Sequence, residues 1–186
     1  MLQKKPYIAL TLVLPLALLF LEGPACNCSK PYNRKDMQLT STAFKDKDNI
    51  PKRHTCQGGD ISPQLAWENV PAGTKSLALI MEDPDAKGQT FIHWVAWNID
   101  PQAEELKEGM TPETPHSIFM QGTNSLEKLG YLGPCPPTGS HRYFFRLYAL
   151  NKELDLLSST TKEGLLEAIK GHILGKAELM GRYQKS

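Results

Sequence analysis

The chain has 186 residues, with 21 Lys and Arg against 20 Asp and Glu and a formal net charge of +1; that balance, with no local block of basic residues, excludes the electrostatic footprint of a nucleic-acid binder. A hydrophobic share of 40% beside 22% charged residues excludes a disordered chain, and the length fits one domain. Four cysteines are too few for a disulfide-built scaffold, while 14 Gly and 14 Pro favour strands joined by turns over a helical bundle.

Residues 1–25 read as a cleaved export signal. Lys4 and Lys5 form a basic start. Tyr7 to Leu21 follow without a charge over 15 residues. That is shorter than the roughly 20 residues of a membrane-crossing helix, and Pro15 interrupts it. Gly23 and Ala25 give the small-x-small pattern of a cleavage site ending at Ala25. Cys26 directly after it resembles the lipid-accepting cysteine of a bacterial lipoprotein, although Gly23 stands where such signals carry an aliphatic residue. The expectation is an exported protein, periplasmic or at the cell surface, whose one membrane attachment is lipid on Cys26. The bland alternative is an uncleaved tether. Setting 1–25 aside leaves a neutral remainder with all four cysteines, in a compartment where disulfides persist.

Residues 26–36 are polar and read as a tether, and 37–186 as the folded domain. Met37 to Phe44 is a candidate first strand. Residues 45–63 are turn-rich. Leu65-Ala66-Trp67 is a short strand candidate. Ser76 to Met81 is a continuous apolar run, short enough for a buried strand. Phe91 to Ile99, rich in aromatic and β-branched residues, is the next strand. Trp94 and Trp97 are three apart and so face opposite ways, and packing explains both. Residues 100–140 form a long connection with brief extended pieces near Ser117–Gln121. Arg142 to Leu150 is a strand by alternation, with Tyr143, Phe145, Leu147 and Ala149 on one face. Thr160-x-x-Glu163 looks like a capping box. Leu165, Ile169, His172, Ile173 and Lys176 then recur at helical spacing, which places helices at the C-terminus and His172 in the core. Gly171 and Gly175 are candidate breaks. Strands first and helices last give a mainly β core with terminal helices.

Two segments concentrate polar groups beside strands. Asp83-Pro84-Asp85 ends one strand, with His93 near the start of the next. Gly133-Pro-Cys-Pro-Pro-Thr-Gly-Ser-His141-Arg-Tyr143 enters another. Its prolines stiffen the loop, its glycines let backbone approach a ligand, and the amides of Gly133, Cys135, Thr138, Gly139 and Ser140 remain as candidate donors. Two imidazoles, a carboxylate and a rigid loop suit a small pre-formed pocket.

These residues closely resemble the phosphatidylethanolamine-binding protein family, also called the Raf kinase inhibitor protein family, in its bacterial and archaeal YbhB/YbcL (UPF0098) branch. One motif is Asp83-Pro84-Asp85-Ala86, continuing to His93-Trp94-Val95. The other runs from Tyr131 through Gly133-Pro134-Cys135-Pro136-Pro137 to His141-Arg142-Tyr143, at fixed spacing. Cys56-x-Gly58-x-Asp60-x-Ser62-Pro63 and Gly122-x-Asn124-Ser125 support the match, which covers about residues 37–183. Lys87 departs from it, standing where the family carries a proline, often after a cis bond. A cis bond at Lys87 would cost roughly 3 kcal/mol, so a trans bond is expected.

The resemblance implies an antiparallel β-sandwich with peripheral and C-terminal helices. It implies a pocket for phosphate-bearing or phosphoethanolamine-like ligands, lined by Asp83, His93, Gly133, Cys135, Pro136, His141 and Tyr143. In it His93 and His141 donate to the anion, while Asp83 orients an imidazole or accepts from an ammonium. Arg142 is not expected to pair with Asp83, since neighbouring strand side chains diverge. The family places Cys56 and Cys135 in loops near the pocket, so a bridge between them is expected. Cys26 and Cys28 are too close together for an easy one. The leading expectation is a binding protein that needs no cofactor or metal, with a kinase or protease as an open protein partner. The alternatives are a metal site of Asp83, Asp85, His93 and His141, and a phosphate-ester or other hydrolase with Cys135, His141 and Asp83 as nucleophile, base and orienter.

Overall fold

The computed structural model describes Gln3 and residues 36–111 and 119–186. The export-signal reading of 1–25 (Gln3 apart), Cys26, and the tether up to residue 35 lie outside the described residues. The strands are β1 (Gln38–Thr40), β2 (Leu65–Glu68), β3 (Ser76–Asp83), β4 (Phe91–Ile99), β5 (Glu105–Leu106), β6 (Met120–Gln121), β7 (Ser140–Leu150) and β8 (Ile173–Gln184). One α-helix, α1 (Lys162–Ile169), precedes β8. The strands form two antiparallel sheets, ordered β1-β2-β5 and β6-β4-β3-β7-β8.

The apolar run 76–81 is continuous because β3 is covered on both faces. Leu77, Leu79 and Met81 pack with Leu39, Leu65 and Trp67 between the sheets. Ala78 and Ile80 pack on the other side with Leu165 and Ile169 of α1. A strand buried on both faces needs no polar alternation. In β4, Trp94 belongs to the inter-sheet core and Trp97 to the helix side, as the spacing predicts. Strict alternation would then put Ile99 with Trp97. Instead Asn98 takes φ 54° beside a register shift opposite Leu77/Leu79, and Ile99 returns to the inter-sheet core. In β7, Tyr143, Phe145, Leu147 and Ala149 all enter that core.

The C-terminus corrects the sequence reading. One helix forms, not several, and the chain ends in a twelve-residue strand paired along all of β7. Gly171 at φ 78° stops α1, because a left-handed residue ends a helix. From there a period of two takes over, with Ala177, Leu179 and Tyr183 in the core. The helical spacing through Ile173 and Lys176 was a coincidence of that pattern with the preceding turn. His172 falls in this turn rather than in the core, with Nδ1 3.0 Å from Asn151 Oδ1. The capping box is not made either. Thr161 is the N-cap residue, and its hydroxyl donates to Glu163. No cis peptide bond occurs among the described residues, Lys87 included.

Gly181 of β8 lies against Ile50 and Phe44, where a Cβ would collide with both side chains. Gly181→Ala should therefore destabilise the fold by about 1–3 kcal/mol through overpacking. A shift of that size in the denaturant midpoint checks it.

Candidate functional site

At one end of the five-stranded sheet, β3, β4 and β7 bring four polar residues together. Asp83 closes β3, His93 is the third residue of β4, and His141 and Tyr143 open β7. The register sets Asp83 beside Phe91 and Glu82 beside Phe144, so these strand ends coincide. The connection through Gly133 to Pro137 closes over them. It is fastened on β4 by Leu132, whose N–H donates to the His93 carbonyl at 2.9 Å and whose carbonyl lies 2.7 Å from His93 Nδ1. A cavity of about 510 Å3 results, with Asp83, His93, His141 and Tyr143 among its lining. That volume suits a small organic ligand.

Asp83 is 3% exposed, and both its carboxylate oxygens are engaged. Oδ1 accepts from the Asp85 amide at 2.8 Å, and Oδ2 lies 2.7 Å from His141 Nδ1. Beside a carboxylate, Nδ1 is the donor, so Nε2 is the His141 ring atom left for a ligand. The Leu132 carbonyl likewise keeps the proton on His93 Nδ1. Burial, foremost, pushes the His93 pKa below its ordinary value, against the opposing pull of that carbonyl and of Asp83. His93 is therefore neutral at pH 7 with Nε2 an acceptor. The sequence reading had both imidazoles donating to an anion; the neutral His93 ring presents an acceptor instead.

The Tyr143 hydroxyl is buried beside the Asp83 carboxylate and makes no close hydrogen bond among the described residues. Burial first, and then the Asp83 charge, raise its pKa, so it keeps its proton as a donor. The His93 ring stands edge-on to Tyr143, with centroids 5.2 Å apart. This donor sits on the wall of a cavity, with the Asp83 carboxylate beside it.

Arg142 does not reach Asp83. Its Nε and backbone N–H donate to Asp85 Oδ2, each at 2.9 Å, and Nη2 donates to Oδ1 at 2.6 Å. The side-chain hydrogen bonds from Arg142, foremost, hold the Asp85 pKa at about 2. The pair locks the turn after β3 onto the start of β7 and takes Asp85 out of any metal set. Among the described residues no three His, Cys, Asp or Glu side chains converge to hold a metal.

Cys56 and Cys135 form a disulfide with Cα atoms 5.4 Å apart. This removes Cys135 as a nucleophile in the oxidised protein. The Gly133 amide, a candidate ligand donor in the sequence, instead donates to Asp60 Oδ1 at 2.6 Å. Gly133 is required there because a Cβ would strike Asp60 and the Thr55 backbone. Its place in the pocket is thus structural, while Cys135 and Pro136 contribute wall. Phe91, Leu126 and Leu132 line the same cavity and were not singled out in the sequence. Apolar loop residues carry no chemical signature, whereas Asp60 was visible in Cys56-x-Gly58-x-Asp60.

The burial of His93 predicts a titration midpoint below 6.5 in the folded protein. With the folded pKa depressed, the sign is definite: its contribution to stability is full above about 6.5 and is lost as pH falls towards the folded value. Histidine NMR titration checks this, and a midpoint at or above 6.5 contradicts it.

A family model described as Phosphatidylethanolamine-binding protein matches residues 40–184. A UPF0098 protein of Methanothermobacter thermautotrophicus is 49% identical over 154 residues, spanning 80% of this chain and 99% of the relative. One from Pyrococcus horikoshii is 37% identical over 179 residues, spanning 93% and 89%. Among solved structures, a phosphatidylethanolamine-binding protein homologue of Chlamydia trachomatis shares 45% identity with a TM-score of 0.75, covering 81% of this chain and 99% of its own. Escherichia coli YbcL, described as a member of the mammalian family, shares 30% identity with the same TM-score of 0.75, covering 82% and 100%. The sandwich, the Asp83–His141 pair and these matches together lead to one conclusion: the chain belongs to the phosphatidylethanolamine-binding protein family.

Proposed function

We propose that this is an exported binding protein whose cavity holds a phosphate-bearing head group of the phosphoethanolamine kind. One observation carries the reading: the Tyr143 hydroxyl and the Asp83–His141 pair line the same cavity. The hydroxyl and protonated His141 Nε2 each donate to a phosphate oxygen, the latter in a charge-assisted bond. His93 Nε2 accepts from a ligand O–H or ammonium. Asp83 does not repel the anion outright, because its two oxygens are engaged by His141 and the Asp85 amide. Phe91, Leu126 and Leu132 offer apolar contact to whatever the phosphate is esterified to. Export rests on the amino-terminal residues, and a disulfide is compatible with an oxidising compartment.

A second reading follows from the same pair. A neutral His141 held by Asp83 can also take a proton from water, as a hydrolase would require.

Calorimetric titration of phosphoethanolamine and of inorganic phosphate tests both. Wild-type protein binds, and His141→Ala and Tyr143→Phe each weaken binding about tenfold or more, the loss of one hydrogen bond to a charged group. Chelator leaves the affinity unchanged. Affinity that survives both substitutions places the ligand elsewhere. Phosphate released from phosphoethanolamine by wild type but not by His141→Ala replaces binding with hydrolysis.

A further inference from the structure

The disulfide has a position that its structural role does not require. Cys56 and Cys135 are both solvent-exposed, and both line the cavity. The surrounding loop is held unevenly. Up to Pro134 it is fastened by hydrogen bonds: Gly133 N–H to Asp60, Cys56 N–H to the Pro134 carbonyl at 3.2 Å, and the Tyr131 hydroxyl to the His54 carbonyl at 2.7 Å. Beyond Pro134 this changes. Among the described residues, the disulfide is the one directional tie between residues 135–139 and residues 51–62. These residues include Cys135, Pro136 and Pro137, which form one wall of the cavity just before His141.

We propose that the Cys56–Cys135 disulfide is a thiol-exchange site that gates this cavity, its reactant being a dithiol. The proposal rests on the binding reading above. A thiolate of the dithiol attacks one sulfur, forms a mixed disulfide with it and expels the other cysteine as thiolate. The second thiol of the reactant then displaces the first cysteine. The protein gains two electrons and two protons, and the reactant leaves as a disulfide. An exposed disulfide is open to such attack. Its opening leaves the two sheets and the bonds at Gly133 and Pro134 in place, and releases the wall between Pro134 and β7. A ligand must then order that wall on binding, which lowers affinity without altering the Asp83–His141 pair.

The test compares the full-length chain oxidised, treated with dithiothreitol under native conditions, and as the C56S/C135S variant. Phosphoethanolamine is titrated into each, and thiols and amide exchange are followed in parallel. Two thiols should appear per chain on treatment. The reduced protein and the variant should bind about tenfold more weakly, and reoxidation should restore the affinity. Exchange should stay unchanged in β3, β4 and β7. Equal affinity in all three forms overturns the gate and leaves the pocket reading standing. Binding by none of them overturns the pocket reading and the gate with it. No thiol released, or exchange rising in the core strands, also overturns the gate, the first by denying access and the second by showing unfolding.

Discussion

The site depends on one buried carboxylate. Asp83 ends the central strand at 3% exposure, where an ionised group is tolerated only if its lone pairs are taken. The Asp85 amide takes one oxygen, which demands the tight turn through Pro84. His141 takes the other, which demands that β7 begin beside the end of β3. Arg142, next along β7, then meets Asp85 and closes the same turn from outside. The rest of β3 can bear this polar terminus because the sheet beneath is buried on both faces.

Much of this was legible in the sequence, for identifiable reasons. The run 76–81 and the aromatic stretch 91–99 carry so much apolar and β-branched content that β3 and β4 follow directly. The alternation of Tyr143, Phe145, Leu147 and Ala149 describes β7 as it stands. The terminal strand β8 was hidden because its first residues continue a helical spacing, and only the left-handed Gly171 separates the two. At the site, Asp83, His93, His141 and Tyr143 do converge, and the expected Cys56–Cys135 bridge forms. Which atom of each ring faces a ligand was not legible. That depends on Leu132 and Asp83 as partners of the two Nδ1 atoms, and long-range pairing is not written in a local motif. The Gly133 amide looked available for the same reason, since Asp60 lies 73 positions away.

The two imidazoles end with complementary duties. His93 is dry and packed between Phe91 and Tyr143, so it stays neutral and accepts. His141 sits against a carboxylate, so it can donate when protonated. The Tyr143 hydroxyl adds a donor that burial keeps protonated. On the proposed reading, such a mixed lining suits a ligand with both anionic oxygens and a hydrogen to give, as a protonated phosphate or an aminoalkyl phosphate has. The strands fix the floor, and the proline-rich loop completes the wall.

The most direct test is nitrogen NMR of the histidine rings during a phosphoethanolamine titration. The account predicts that the Nε2 resonances of His93 and His141 both shift to saturation with one common dissociation constant, while their Nδ1 resonances keep the signature of a protonated, hydrogen-bonded nitrogen. Binding that saturates while both Nε2 resonances stay still would contradict it.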